Sequence, residues 1–235
     1  MFSLPIADSS DLFPIEPSKI VALGLNYRDH IAESLSVRVN SLGSDEPPEP
    51  VLFVKTPNVL IRSGDPIVIP AFLKAYNFPE PRVDHEAELA FIIADTCKNV
   101  AEEDAYRHIL GFTCMNDVSQ RNLQNGDRSG WWRGKSLDTF GPLGPRIVLT
   151  RDIGDPQNLS IECRVNGKVT QKSNSRNMIF SIRRILAFIS KNITLVRGDI
   201  ITTGTPSGVS PLSDGDVVEV EIEKIGILSN PVVVE

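Results

Sequence analysis

The stretch VDHEAELAFIIAD, residues 83–95, places Glu86 and Glu88 at the head of an apolar run, Leu89 to Ile93. A short apolar run bounded by polar residues reads as a buried strand. Side chains two apart on a strand share a face, so both carboxylates point the same way. Two like charges that close repel unless solvent, a proton or a cation sits between them.

Outward from that strand, 17 prolines and 16 glycines cut the 235 residues into short segments, the punctuation of a strand-rich fold. Strands are expected over residues 19–26, 51–55, 66–70, 87–94, 146–150, 159–171, 199–204 and 216–234. Asn166-Gly167 between two strand-like runs signals a hairpin, because both residue types tolerate positive φ. VVEVEIE, residues 217–223, alternates strictly, so one face is buried and the glutamates on the other are wet. Helices are few. Residues 102–110 open with acids and stop at Gly111, and residues 27–34 form a short third helix. Residues 177–192 carry Ile179, Ile182, Ile185, Leu186 and Ile189 on one stripe, as an amphipathic core helix does. Strands and helices do not alternate regularly, which disfavours a doubly wound sheet or a βα barrel. Residues 34–50 read as a polar loop of a length that often serves as a lid.

At 41% hydrophobic and 23% charged, the chain fits one large soluble domain or two small ones, with a sizeable core. Its net charge is −6 and no basic cluster exceeds two residues, so neither nucleic acid nor an anionic membrane is an expected partner. No run of 18 apolar residues is present, and the first residues have neither a basic region nor a continuous apolar one. Cys97, Cys114 and Cys163 are odd in number and widely spaced, which fits neither a disulfide framework nor a zinc knuckle. Reduced thiols and a cytoplasmic location are the expectation.

Glu86 and Glu88 supply two oxygen donors, and Asp117 in GFTCMNDVSQRNLQ offers a third. Three carboxylates without clustered histidine or cysteine suit a hard cation, magnesium or manganese, rather than zinc. On spacing alone, a solvated strand edge is the commoner reading. DHIAE puts His30 and Glu33 three apart on one helix face, where a carboxylate can fix the imidazole as a general base; a surface ion pair is the plain alternative. Lys135 sits among aromatics, glycines and prolines in WWRGKSLDTFGPLGP. TTGTPSGV, residues 202–209, is a strand ending in a turn whose hydroxyls and amides can hold a carboxylate or other anion.

In this order, GLNYRDHIAES, FVKTPNVLI, DHEAELAFII, NDVSQRNLQ, RGKSLDTFGPLGP, SNSRNMIFSI and GDIITTGTPSGV resemble the motifs of the fumarylacetoacetate hydrolase family. The resemblance runs from about Lys19 to Val234, so residues 1–18 are read as an N-terminal segment packed on a catalytic domain spanning 19–235. It is closest to the compact branch of acylpyruvate hydrolases, oxaloacetate decarboxylases and 2-hydroxyhepta-2,4-diene-1,7-dioate isomerases. The resemblance implies an α+β, β-dominated fold, a mixed β-sandwich roll with a few short helices, assembled as a homodimer. It implies Glu86, Glu88 and Asp117 as ligands of Mg2+, with Mn2+ or Ca2+ able to substitute. His30 and Glu33 match its water-activating dyad and Lys135 its lysine near the metal. Arg121, Gln124 and Thr205 match positions that contact substrate oxygens. His85 stands where an aromatic residue is common and is expected to face away from the metal.

The substrate implied is a small keto acid or dicarboxylate. The first expectation is hydrolysis of the C–C bond of an acylpyruvate through a pyruvate enolate. Oxaloacetate decarboxylation and dienoate isomerisation are the alternatives on the same site, and a non-catalytic dicarboxylate-binding protein is the alternative outside it.

Overall fold

A computed structural model gives the structure and describes residues 2–33, 46–128 and 130–235. Most of the expected lid loop, residues 34–45, lies outside the described residues. The fold is α+β and β-dominated, a roll built on two large mixed sheets. The seven-stranded sheet runs Val51–Lys55, Ile20–Gly24, Ile200–Thr202, Ala87–Ile93, Ile109–Asn116, Gly141–Leu149, Leu60–Ile61. The five-stranded sheet runs Lys168–Asn174, Ser160–Val165, Val217–Ile222, Gly226–Val234, Ile67–Ile69.

All seven residues of the central strand Ala87–Ile93 are buried, which explains its unbroken apolar sequence. Leu89, Phe91 and Ile93 join Ile161, Cys163, Val218, Val220 and Ile222 of the other sheet in one core. Ala90 and Ile92 face the opposite way, into a second core with Leu4, Phe13 and Ile15. Those three come from an N-terminal hairpin, Phe2–Pro5 paired with Leu12–Ile15. Glu86 and Glu88 share the parity of Ala90 and Ile92. They therefore lie on the face of the large sheet turned away from its partner, beyond the part the hairpin covers.

The alternating strand Val217–Ile222 buries Val218, Val220 and Ile222, while Glu219 and Glu221 are partly exposed. Asn166 and Gly167, with φ of 52° and 75°, make the expected hairpin turn. The expected strand 146–150 begins earlier, at Gly141, residues 216–234 form two strands, and two helices have other bounds than expected. Residues 102–110 are a 3-10 helix only over Glu102–His108, and Ile109–Asn116 is a strand paired antiparallel to Ala87–Ile93. Gly111 is no helix stop: a Cβ there would lie 2.5 Å from Val148 O, so glycine allows the strands to approach. The core helix is Ile182–Asn192, because Ser181 Oγ caps it by accepting from Arg184 N at 3.2 Å. Residue 179 lies before the helix, its N donating to Asn26 O at 2.8 Å. Among the described residues no helix is long and apolar enough to cross a membrane.

Candidate active site

Antiparallel pairing delivers the three carboxylates to one place. Ala87 opposes Asn116, so Glu86 and Asp117 flank the open end of the same ladder, and Asp117 N donates to Glu86 O at 2.9 Å. Asn116 Oδ1 accepts from Glu86 N at 2.9 Å and fixes the approach to the strand. One oxygen each from Glu86, Glu88 and Asp117 lies within 4.8 Å of the other two, and all three residues are buried.

Three buried cations surround them. Lys135 Nζ bridges Glu86 Oε2 at 2.5 Å and Asp117 Oδ2 at 2.7 Å, and lies 4.9 Å from the centre of the Phe53 ring. Lys55 Nζ, fully buried, holds Asp117 Oδ1 at 2.6 Å from behind. Arg121 Nη2 donates to Glu86 Oε1 at 2.6 Å, its Nε to Asp84 Oδ2 at 2.7 Å, and its Nη1 to Gln124 Oε1 at 2.9 Å. Glu88 has no such partner: among the described residues no lysine or arginine pairs with it. Its Oε2 accepts from Thr202 Oγ1 and, at 2.8 Å, from Gly204 N.

These surroundings push the acids apart. Burial works to raise Glu86, but Arg121 and Lys135 outweigh it and hold the carboxyl well below the usual range. Burial, then the charges of Asp117 and Glu86, push Glu88 well above it. Burial lowers Lys55 despite Asp117, whereas Asp117 and Glu86 overcome burial at Lys135 and raise it.

The donor set fits a hard divalent cation. All three ligand atoms are oxygens, the spacing suits a single ion, and a cationic group of the chain already bridges two of them. A cation there would supply the paired opposite charge that Glu88 lacks among the described residues. Tyr27 Oη, near enough to feel Glu88, is buried without a hydrogen-bond partner among the described residues, so a polar group remains for a ligand or its hydration shell.

The pocket above the triad is lined by His30, Glu86, Glu88, Arg121, Gln124, Lys135 and Thr205 together with apolar Leu23, Leu25, Phe53 and Trp131. His30 lies on the short helix Arg28–Glu33 and is itself buried. Its Nδ1 faces Glu33 Oε1 at 3.2 Å, and Glu33 Oε1 also accepts from Gly208 N at 2.8 Å. Burial opposes ionisation of Glu33, yet His30 and the Gly208 amide hold it below its ordinary value.

Residues 202–209 do hold carboxylates, but those of the protein itself: Glu88 on Thr202 and Gly204, and Glu33 on Gly208. Thr205 lines the pocket. Its hydroxyl donates to Ala87 O at 3.0 Å and accepts from Gln171 Nε2 at 2.8 Å, leaving only a lone pair. His85 points to the other sheet, with Nδ1 3.2 Å from Gln171 Oε1 and Nε2 2.8 Å from Ser210 Oγ. Lys55, Asp84, Thr202 and Gln171 were not singled out from sequence. A lysine ending an apolar strand, as in VLFVK, was the one available signal.

Residues 19–233 match the family model for the fumarylacetoacetate (FAA) hydrolase C-terminal region. The mitochondrial oxaloacetate tautomerase fahd2 of Xenopus laevis is 44% identical over 94% of this chain and 68% of its own length. The 2-hydroxyhepta-2,4-diene-1,7-dioate isomerase of Mycobacterium marinum is 40% identical, with a TM-score of 0.79 over 94% of this chain and 77% of its own. Maleylpyruvate hydrolase from Sphingobium sp. SYK-6, in complex with manganese (II) ion and pyruvate, is 34% identical, with a TM-score of 0.76 over 93% and 71%. The chain belongs to the fumarylacetoacetate hydrolase family.

Proposed function

We propose that this chain is a divalent-metal-dependent enzyme acting on 2-keto acids through an enolate, and that its reaction is hydrolysis of the C–C bond of an acylpyruvate. The observation that carries the proposal is the convergence, in one pocket, of a carboxylate triad, a buried lysine and a histidine backed by its own glutamate. A cation held by Glu86, Glu88 and Asp117, magnesium by preference, supplies Lewis acidity toward the keto-acid oxygens.

The chain's own residues carry the proton chemistry. Glu33 takes up Nδ1–H of His30, which leaves Nε2 as the basic nitrogen. His30 removes a proton from water, and the water oxygen attacks C4 of the substrate. The C3–C4 bond breaks, its electron pair passes to the enolate of pyruvate, and the acyl group leaves as a carboxylic acid. His30 then returns the proton to C3. Lys135 and Arg121 place fixed positive charge where the carboxylate and enolate oxygens develop theirs, a device that contributes a few kcal/mol. The walls of Phe53, Trp131, Leu23 and Leu25 exclude bulk water and strengthen those interactions. A homodimer is proposed as the assembly.

A second reading is keto–enol tautomerisation of oxaloacetate. It is favoured by the 44% identity to a tautomerase. It needs the same base and the same enolate stabilisation, with no water attacking carbon. Incubation with acetylpyruvate, fumarylpyruvate and oxaloacetate, with and without magnesium, separates the two. Metal-dependent release of pyruvate and a free acid from a diketo acid supports hydrolysis. Acceleration of the enol-to-keto change of oxaloacetate without pyruvate release supports tautomerisation, and pyruvate with carbon dioxide supports decarboxylation. Inertness toward all three in the metal-loaded protein refutes the proposal.

A further inference from the structure

We propose that Asp95, Cys97 and His108 form a second metal site, of the zinc type, at the far end of the strand that begins beside Glu86 and Glu88. One ligand atom from each of the three lies within 4.8 Å of the other two. Asp95 Oδ1 and His108 Nδ1 are 2.6 Å apart. Donors around a tetrahedral zinc, at bond lengths near 2.0–2.3 Å, are separated by about 3.4 Å. That separation falls between the closest contact and the outer limit seen here.

The backbone holds the three donors in place. Ala94 N donates to His108 O at 2.9 Å, which fixes Asp95 beside the end of Glu102–His108. Cys97 exchanges two hydrogen bonds with Leu195, both 3.0 Å. Burial is graded. Cys97 is 5% exposed, while the side chains of Asp95 and His108 are 60% and 28% exposed, so a fourth position opens onto solvent for water. Carboxylate, thiolate and neutral imidazole cancel the charge of a divalent ion and form a mixed, borderline-soft set. This chemistry differs from the all-oxygen triad. Arg197 Nη1 donates to Ala94 O at 3.3 Å, and its guanidinium lies over Phe13.

The two sites are separate. Seven residues of extended chain from Glu88 to Asp95 span roughly 23 Å. The second site ties the end of the central strand to the 3-10 helix and to the segment at Leu195, which gives it a structural role. It does not depend on the proposed reaction.

Cobalt titration of metal-free protein tests it. Cys114 and Cys163 are fully buried, so a thiolate-to-cobalt charge-transfer band reports Cys97 alone. The expected result is such a band, displaced by zinc, saturating at one equivalent in Glu88→Gln and lost in Cys97→Ser. Asp95→Asn and His108→Gln, at an exposed and a half-buried side chain, lower cobalt affinity at least tenfold, about the effect of losing even an outer-shell partner. These two variants decide the matter if Cys97→Ser fails to fold. Absence of the band while Cys97 is a free thiol overturns the proposal, as does a band whose affinity is unchanged in both Asp95→Asn and His108→Gln.

Discussion

Replacing Glu88 by glutamine separates the cation from the packing. Glutamine has the same shape, and its amide oxygen can accept from Thr202 Oγ1 and Gly204 N as the native carboxyl does. In the metal-free protein burial, then the charges of Asp117 and Glu86, favour the protonated form of Glu88. The substitution therefore exchanges one neutral group for another and changes stability by about 1 kcal/mol or less at acidic pH. The pH dependence carries a definite sign. The native state keeps the Glu88 proton above the ordinary value of 4.5, where the unfolded chain has lost it. Wild-type stability thus falls as pH rises from that value toward the raised native one, by up to about 1.4 kcal/mol per pH unit. Glutamine lacks this slope, while contributions from Glu86 and the other acids are common to both proteins. The variant accordingly gains on the wild type as pH rises, by up to roughly 3–5 °C in Tm per unit for a chain of this size. A divalent cation at a hundred times its Kd adds about 2.7 kcal/mol to the wild type, or about 5–10 °C, and nothing to the variant. Thermal melts from pH 5 to 8, in chelator and in magnesium or manganese, measure both. Parallel pH curves, or an equal metal shift in the variant, refute the reasoning.

His30→Ala should lower kcat by about 10²–10⁴-fold while retaining the metal-induced rise in Tm, measured on the substrate identified above. Lys55→Met leaves Asp117 buried beside one cation instead of two; chemical denaturation should show a loss of about 3–5 kcal/mol. Gly208→Ala puts a Cβ 2.0 Å from Thr170 O at a φ of +96°, so more than about 2 kcal/mol is lost, and activity falls with it because Gly208 N holds Glu33. A Tm within a degree of the wild type for either of these two would count against the packing described.

The strand 87–93 was legible because both its faces are buried, and a continuous apolar run is what that requires. Its second core was not, since the hairpin covering it pairs short segments, FSLP and LFPI, with too few residues to show a period. The 109–116 strand was partly mistaken for helix because acids precede it and glycine follows two residues in. Only the pairing with Ile93 and the close approach at Val148 show what Gly111 is for. At the site, spacing offered Glu86 and Glu88 two apart on a strand and His30 and Glu33 three apart on a helix, each with a plainer reading as a solvated edge or a surface ion pair; the order of the seven motifs is what joined them, with Asp117, into one site. Lys55, Asp84 and Gln171 were not, because each meets its partner across more than thirty residues of chain or from the other sheet. Thr205 was singled out by the resemblance of GDIITTGTPSGV to a family motif, and its hydroxyl bonds the main chain of Ala87.

The charge of the completed site selects among ligands. Glu86, Glu88 and Asp117 carry three formal negatives, matched by Lys55, Lys135 and Arg121, while Asp84 is matched by Arg82 at 2.7 Å. Within this shell of three carboxylates and three cations a divalent ion would leave two net positives, with Glu88 ionised beside it. Oxaloacetate and the enolate of an acylpyruvate each bring two negatives, which would neutralise that shell. Oxalate and oxamate have nearly the same shape but charges of minus two and minus one. One further charge in a partly buried site contributes about 1.4 kcal/mol even at an effective dielectric several times that of dry protein, so oxalate should bind at least tenfold more tightly. Lys135→Met should narrow that ratio, because it removes the positive charge nearest two of the three carboxylates. Calorimetry on metal-loaded wild type and variant measures it. Equal affinity for the two anions would mean that a proton remains on the triad when the cation is bound, and the pocket would then suit a monoanion rather than an enolate dianion.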